Sequence, residues 1–294
     1  MNVTLIKPYG FCNGVKRAFS IVEKAIIENP NKKIYIIGSL IHNKLANDSL
    51  IRKNITIFES DEEKEQITYI ESLKSNIIII FPAHGHYKNV ELLLNSKGIK
   101  FYDTICPLLL KNLRIIKEKP NAFYFYIGDK NHMECKSIIS YMKNNHYQII
   151  DKNNNDVTII DGVEEEIIVI SQSTCLEENT NRIKNLILSK YPKTNVNINL
   201  CNVVIEREKN LLKNLRTNHF SKTIIVGDGS SANTTNLLKL YYNYTKTKNN
   251  CFFILNSNEI EKTYFNEDDN ILITSGTSAP TEIVEKIYKD LKKL

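Results

Sequence analysis

Six short apolar runs, rich in β-branched and aromatic residues, occupy residues 34–38, 77–85, 123–128, 167–173, 223–227 and 271–276, and each closes on a small or polar loop. Between them lie stretches with apolar residues at three- and four-residue intervals, at 15–28, 136–144, 180–190 and 281–293. Continuous apolar strands alternating with amphipathic helices predict parallel sheets covered on both faces. A chain of 294 residues has room for two domains or three small ones.

Cysteine spacing favours three. Cys106 lies 94 residues after Cys12, Cys201 lies 95 after Cys106, and the chain ends 93 residues after Cys201. Each of these cysteines follows a strand-like run and precedes a helical pattern. Each third also carries two polar strand-end loops: His42 and His84, then His132 and Ser173, then Ser231 and Ser278. Ligands of α/β sheets bind beyond the carboxyl ends of the strands. The expectation is therefore three similar α/β lobes with mostly parallel sheets, arranged as a pseudo-threefold trefoil with its site on the axis. The lobe boundaries are expected at 13–105, 106–200, and 201–294 together with 1–12.

Composition narrows the function. The net charge of +6 is spread out, with no block of five basic residues and no basic stripe interleaved with aromatics, so no nucleic-acid partner is expected. Apolar runs such as 76–81 are far shorter than the roughly 18 residues a membrane helix needs. The first residues lead straight into a strand pattern without the charged start and apolar centre of a signal peptide. Six cysteines in a chain of this kind point to free thiols, metal ligands or redox chemistry before structural disulfides.

Three thiolates meeting on an axis bind zinc, hold an iron–sulfur cluster, or are simply buried apolar residues. Sequence-local zinc sites pair their ligands as C-x₂-C, and no such pair occurs. A [4Fe-4S] cluster on three cysteines leaves one iron open to substrate, whereas four cysteines are usual for electron transfer. Of the others, Cys251 begins a strand, while Cys135 and Cys175 follow polar loops and are available as a fourth thiolate. His42, His84 and His132, with Ser231, Asn233 and Ser278, form a hydrogen-bonding set suited to an anion such as a diphosphate. Neither a P-loop nor a G-x-G-x-x-G fingerprint is present. Glu134, on the loop of His132, is the best-placed proton donor if burial raises its pKa, and otherwise a helix-start carboxylate.

Taken in order, the segments 8–18, 41–43 with 48–50, 83–85, 103–108, 132–134, 172–174, 227–233 and 278–280 resemble the LytB/IspH family, the 4-hydroxy-3-methylbut-2-enyl diphosphate reductases. The resemblance runs from residue 1 to about residue 290. It implies a trefoil around a central [4Fe-4S] cluster on Cys12, Cys106 and Cys201. It also implies the two-electron, two-proton loss of an allylic hydroxyl that ends the methylerythritol phosphate route to isopentenyl and dimethylallyl diphosphate. By the same resemblance the cluster iron polarises the substrate C–O bond. His42, His84, Ser231, Asn233 and Ser278 hold the diphosphate, Glu134 delivers protons with His132, and Ser173 and Thr174 order the substrate hydroxyl or a water.

The chain departs from the family pattern at several places. Ser173 stands where Thr is usual, Ala232 replaces a serine of the phosphate motif, and Val204 and Ile205 replace polar residues, while Arg207 is retained. One phosphate hydrogen bond is expected to be lost at Ala232. Met133 replaces a proline, and His86 is additional. The alternative reading is a divergent member that keeps the cluster for redox sensing or binding with weakened catalysis. Without a flavin or nicotinamide motif, electrons are expected from ferredoxin or flavodoxin. The expected location is the cytoplasm, or the plastid stroma if a transit peptide has been removed.

Overall fold

The structure, a computed structural model, describes residues 1–74, 76–154, 157–247 and 249–293. Strand β1 (Asn2–Leu5) precedes the first cysteine, and helix α1 (Asn13–Glu28) follows it. Then come β2 (Lys33–Ile37), α2 (Lys44–Ile51), β3 (Ile55–Phe58), α3 (Glu63–Ser72), β4 (Ile77–Phe81), α4 (Lys88–Ser96) and β5 (Phe101–Asp103). Beyond Cys106 lie α5 (Pro107–Glu118), β6 (Phe123–Gly128), α6 (Met133–Ser140), β7 (Tyr147–Asp151), β8 (Ile167–Ser171), α7 (Glu177–Lys190) and β9 (Asn195–Asn197). Beyond Cys201 lie α8 (Asn202–Thr217), β10 (Lys222–Val226), α9 (Ala232–Thr245), β11 (Cys251–Ile254), two 3₁₀ turns, β12 (Asn270–Ser275) and α10 (Thr281–Leu291).

The strands form three four-stranded sheets, ordered β3-β2-β4-β5, β7-β6-β8-β9 and β11-β10-β12-β1, and every pairing is parallel. The three orders are equivalent. In each, the strand leading to a cysteine is an edge strand: β5 for Cys106, β9 for Cys201 and β1 for Cys12. The N-terminal β1 reaches its place by pairing with β12, Leu5 opposite Ile273. In each sheet the strand order reverses between the two central strands, the switch point where open α/β sheets take their ligands.

Burial explains why the central strands read as unbroken apolar runs. In the middle sheet Tyr124, Tyr126, Ile168 and Ile170 pack against Leu109 and Leu113 of α5 and Ile138 of α6. The intervening Phe123, Phe125, Ile127, Ile167 and Val169 pack on the other side against Ile183 and Ile187 of α7. Side chains alternate faces along a strand, so an apolar residue at every position means both faces are covered. The third sheet repeats this, with Ile224, Val226, Ile271 and Ile273 against α10, and Ile225 and Leu272 against α8 and α9. Truncating one of these isoleucines to alanine would cost about 2–5 kcal/mol.

By density of contacts the chain divides into two compact units: Met1–Lys16, Ile41–Lys53 and Asn202–Leu294 form one, Arg17–Leu40 and Asn54–Cys201 the other. Helix α6 corrects the expectation of a helix over 136–144. It starts at Met133 because His132 caps it, Nδ1 accepting the Glu134 N–H at 3.1 Å, and it ends at Ser140 with Tyr141 as its C-cap. Glu134 therefore lies in a helical first turn, not on the preceding loop. No helix among the described residues is long and apolar enough to cross a membrane.

Candidate active site

All three spaced cysteines occupy the same hydrogen-bonded station. The Cys12 N–H donates to the Thr277 carbonyl at 3.1 Å, the Cys106 N–H to Ala83 at 3.0 Å, and the Cys201 N–H to Ser173 at 2.9 Å. Each acceptor is the second residue beyond the end of a central strand, β12, β4 or β8. Each also directly precedes a polar candidate: Ser278, His84 or Thr174. A helix begins immediately after every one of the cysteines. Cys12 Sγ accepts the Val15 N–H at 3.4 Å, and Cys106 is the N-cap of α5 with Pro107 at its first position. Helix N-termini offer unpaired N–H groups and positive dipole ends, which favour negative sulfur.

Glycine makes two of these approaches possible. Gly10, with φ +68°, would place a Cβ 2.4 Å from Thr281 Oγ1, and Gly85, with φ +98°, would place one 2.3 Å from Ser137 Oγ. Any side chain would push out the loop leading to Cys12 or the loop holding His84.

In the unit that contains Cys12, Ser278 links the His42 backbone to Ser231. Ser278 Oγ donates to the His42 carbonyl at 3.1 Å and stands 3.2 Å from Ser231 Oγ, both serines being buried. Ser231 occupies the N-cap position of α9 without a side-chain capping bond, and a helix N-terminus offers dipole and N–H groups to an anion. Asn233 Nδ2 donates to Thr277 Oγ1 at 2.5 Å, while its buried Oδ1 has no hydrogen-bond partner among the described residues. Asp228, which the sequence reading passed over, accepts the Lys44 N–H at 2.8 Å and the Ser230 N–H at 2.9 Å. Burial pushes its carboxyl upward, but these bonds and the nearby His42 outweigh that and hold it below the usual range.

In the other unit Glu134 is buried, 4 % exposed, and its carboxyl grips Ser173: Oε1 accepts the Ser173 N–H and Oε2 the Ser173 hydroxyl, both at 2.8 Å. Burial raises its pKa, and the two Ser173 bonds and the charge of Lys152 only partly offset this. His132 accepts from Glu134 N through Nδ1, which leaves the proton of a neutral ring on Nε2. The His84 and His132 rings meet edge to face, 5.9 Å between centroids. Gln172, fully buried, donates to Thr174 Oγ1 at 2.9 Å and accepts the Asp129 N–H at 3.0 Å, so it orients Thr174.

The three spaced cysteines differ in setting from the other three. Cys12, Cys106 and Cys201 are partly exposed at helix starts. Cys135 and Cys175 are buried in separate apolar cores, and burial pushes both thiols up to about 12. Cys251 packs against the core of the third sheet and is pushed to about 12 in the same way. Ligation needs thiolate, which these three resist. Among the described residues no three His, Cys, Asp or Glu side chains gather as the ligands of a single ion would.

The sequence profile described as LytB protein matches residues 3–292. A Dictyoglomus thermophilum protein named 4-hydroxy-3-methylbut-2-enyl diphosphate reductase is 31% identical, the match covering 100% of this chain and 97% of that one. A Neorickettsia sennetsu protein of the same name is 28% identical over 100% of this chain and 92% of its own. Among solved structures, the E-1-hydroxy-2-methyl-but-2-enyl-4-diphosphate reductase of Plasmodium falciparum shares the fold with a TM-score of 0.84 at 23% identity, covering 99% of this chain and 88% of that one. With a profile match over nearly its whole length and a 31% identical relative matched along the entire chain, this protein belongs to the LytB family.

Proposed function

We propose that this chain reduces 4-hydroxy-3-methylbut-2-enyl diphosphate to isopentenyl and dimethylallyl diphosphate, the last step of the methylerythritol phosphate route. Two electrons and two protons enter, the allylic C–O bond breaks, and the hydroxyl leaves as water. The observation that carries the reading is the shared station of Cys12, Cys106 and Cys201, each N–H bonded two residues past a central strand and each at a helix start. Cys12, Cys106 and Cys201 would hold a [4Fe-4S] cluster, which would relay the donor's electrons and provide Lewis acidity.

The remaining chemistry falls to the chain's own side chains. Ser231, Ser278, Asn233 and His42 bind the diphosphate at the α9 N-terminus, and His84 is a further ligand for it in this reading. Glu134, whose pKa burial raises, delivers protons with His132 beside it, and Ser173 helps order the substrate hydroxyl or a water. Thr174, fixed by Gln172, orders the substrate hydroxyl or a water. A member used for redox sensing would have no use for the buried Glu134–Ser173 pair.

The lobes of this reading are 13–105, 106–200, and 201–294 with 1–12, in keeping with the strands each sheet takes. The electron donor is a ferredoxin or flavodoxin, and the location is the cytoplasm, in keeping with bacterial relatives and with thiols that must stay reduced. The test is anaerobic turnover of the hydroxy-diphosphate with dithionite and a mediator. Formation of both product diphosphates is expected, and a brown, iron-loaded protein that forms neither would overturn the reading.

A further inference from the structure

Each of the three helices that follow a cysteine carries a polar side chain whose hydrogen bonds go to a different cysteine's loop, and α8 carries a second, Asn210, whose Nδ2 donates to the Lys7 carbonyl at 2.8 Å ahead of Cys12. On α1, behind Cys12, Arg17 Nη1 donates to the Ile105 carbonyl at 2.9 Å and stands 3.4 Å from that of Thr104, the two residues before Cys106. On α5, behind Cys106, Asn112 is 1 % exposed; its Nδ2 donates to the Ser171 carbonyl at 3.1 Å, and its Oδ1 accepts from Asn199 Nδ2 at 3.1 Å. Asn199 lies two residues before Cys201, and Ser171 ends the strand beside it. On α8, behind Cys201, Arg207 is also 1 % exposed. Its Nη2 donates to the Gly10 carbonyl at 2.6 Å, two residues before Cys12, and its Nη1 to the Ser275 carbonyl at 2.7 Å, where β12 ends.

The three residues stand five or six positions after their cysteines, and their targets follow in chain order: the first helix holds the second cysteine's loop, the second the third's, and the third the first's. We infer that Arg17, Asn112 and Arg207 are equivalent positioning residues, each carried on the helix behind one cysteine and each fixing the loop that delivers the next. The inference rests on the reading of Cys12, Cys106 and Cys201 as the ligand set. Its physical basis is that a loop held by backbone hydrogen bonds alone opens easily. A buried guanidinium or amide that joins two carbonyls or a loop side chain sets that loop before iron arrives. Removing it leaves buried acceptors unpaired, which costs more than the bond itself was worth. The sequence offers no local signal for this, because each partner lies 59 to 197 residues away.

The test measures iodoacetamide alkylation of each cysteine by peptide mass spectrometry on the full chain freed of iron. Arg17→Met is expected to speed alkylation of Cys106 by about tenfold, Asn112→Leu that of Cys201, and Arg207→Met that of Cys12, with the other two sites unchanged within about twofold. Arg17→Lys, which keeps one donor for Ile105, restores most of the protection. Equal acceleration at all three cysteines, or acceleration at the preceding cysteine, overturns the inference, since a merely stabilising side chain would act that way. If Arg207→Met does not fold, Ser275→Ala replaces it: this removes the hydroxyl that accepts the Gly10 N–H at 2.9 Å, and Cys12 alone is expected to respond. Iron uptake by the unaltered chain is measured separately. A chain that takes up no iron yet shows the crossed pattern overturns the ligand reading and leaves the positioning inference standing.

Discussion

Glu134 accepts both the backbone N–H and the hydroxyl of Ser173, one on each carboxylate oxygen, at 2.8 Å each. A buried acid is thereby joined to the loop whose carbonyl also receives the Cys201 N–H. The buried carboxyl and one cysteine loop share a single residue, Ser173.

Glu134→Gln is expected to keep the brown colour and iron content and to lose turnover by about 10²-fold or more, the usual contribution of a positioned general acid. Anaerobic assay with dithionite and a mediator measures it. Unchanged turnover would remove Glu134 from the proton path.

The raised pKa of Glu134 fixes the sign of the pH dependence. Its folded-state value lies above the unfolded one, so its stabilising contribution is full below the ordinary glutamate range and is lost as pH rises through the folded value. Turnover that needs the protonated form declines over the same window. In Glu134→Gln the acidic group is gone, and denaturant titrations across pH should lose that slope.

Ser173→Ala removes one of the two bonds to the carboxylate and leaves the N–H in place. The expected cost is about 1.5–3 kcal/mol, the range for hydrogen bonds to charged groups, when Glu134 is ionised. With less to stabilise the anion, the Glu134 pKa rises further and the alkaline limb of the rate profile moves upward. A limb that stays put would show that Ser173 does not face the titrating group.

Cysteine replacements should divide cleanly. Cys12→Ser, Cys106→Ser and Cys201→Ser are expected to lose iron, while Cys135→Ala and Cys175→Ala should retain it and lose only the stability of a small buried side chain. Iron and sulfide analysis after anaerobic reconstitution decides between them. Full iron in Cys106→Ser would mean the ligand set is wrong.

Ser278→Ala removes a hydroxyl that stands 3.2 Å from Ser231 Oγ, and KM for the diphosphate is expected to rise about tenfold or more, the worth of a charge-assisted hydrogen bond. Ala232→Ser adds a hydroxyl at the first position of α9, beside Ser231, and should lower KM several-fold. A KM unmoved by both changes would place the diphosphate elsewhere.

The sheets were legible because a strand buried on both faces leaves an unbroken apolar run, as in β4, β6, β8, β10 and β12. Strands β3 and β7 were not, since they are edge strands of mixed burial whose sequences carry no such run. The boundaries of α6 escaped for a related reason: a histidine N-cap and a tyrosine C-cap are weaker marks than apolar spacing. Equal cysteine spacing, polar strand-end loops and the motif order carried the family and the candidate residues, because those are local features of the chain.

Only the tertiary structure decided what holds them. Burial of Cys135 and Cys175 in apolar cores, the grip of Glu134 on Ser173 across 39 residues, and the bond from Arg207 to Gly10 across 197 all depend on which segments pack together. Residue type and spacing specify strands, helices and the kind of chemistry available, since those follow from local sterics and hydrophobic periodicity. Desolvation and hydrogen-bond partners, which set the charge on an acid and the rigidity of a loop, arise only when distant segments meet.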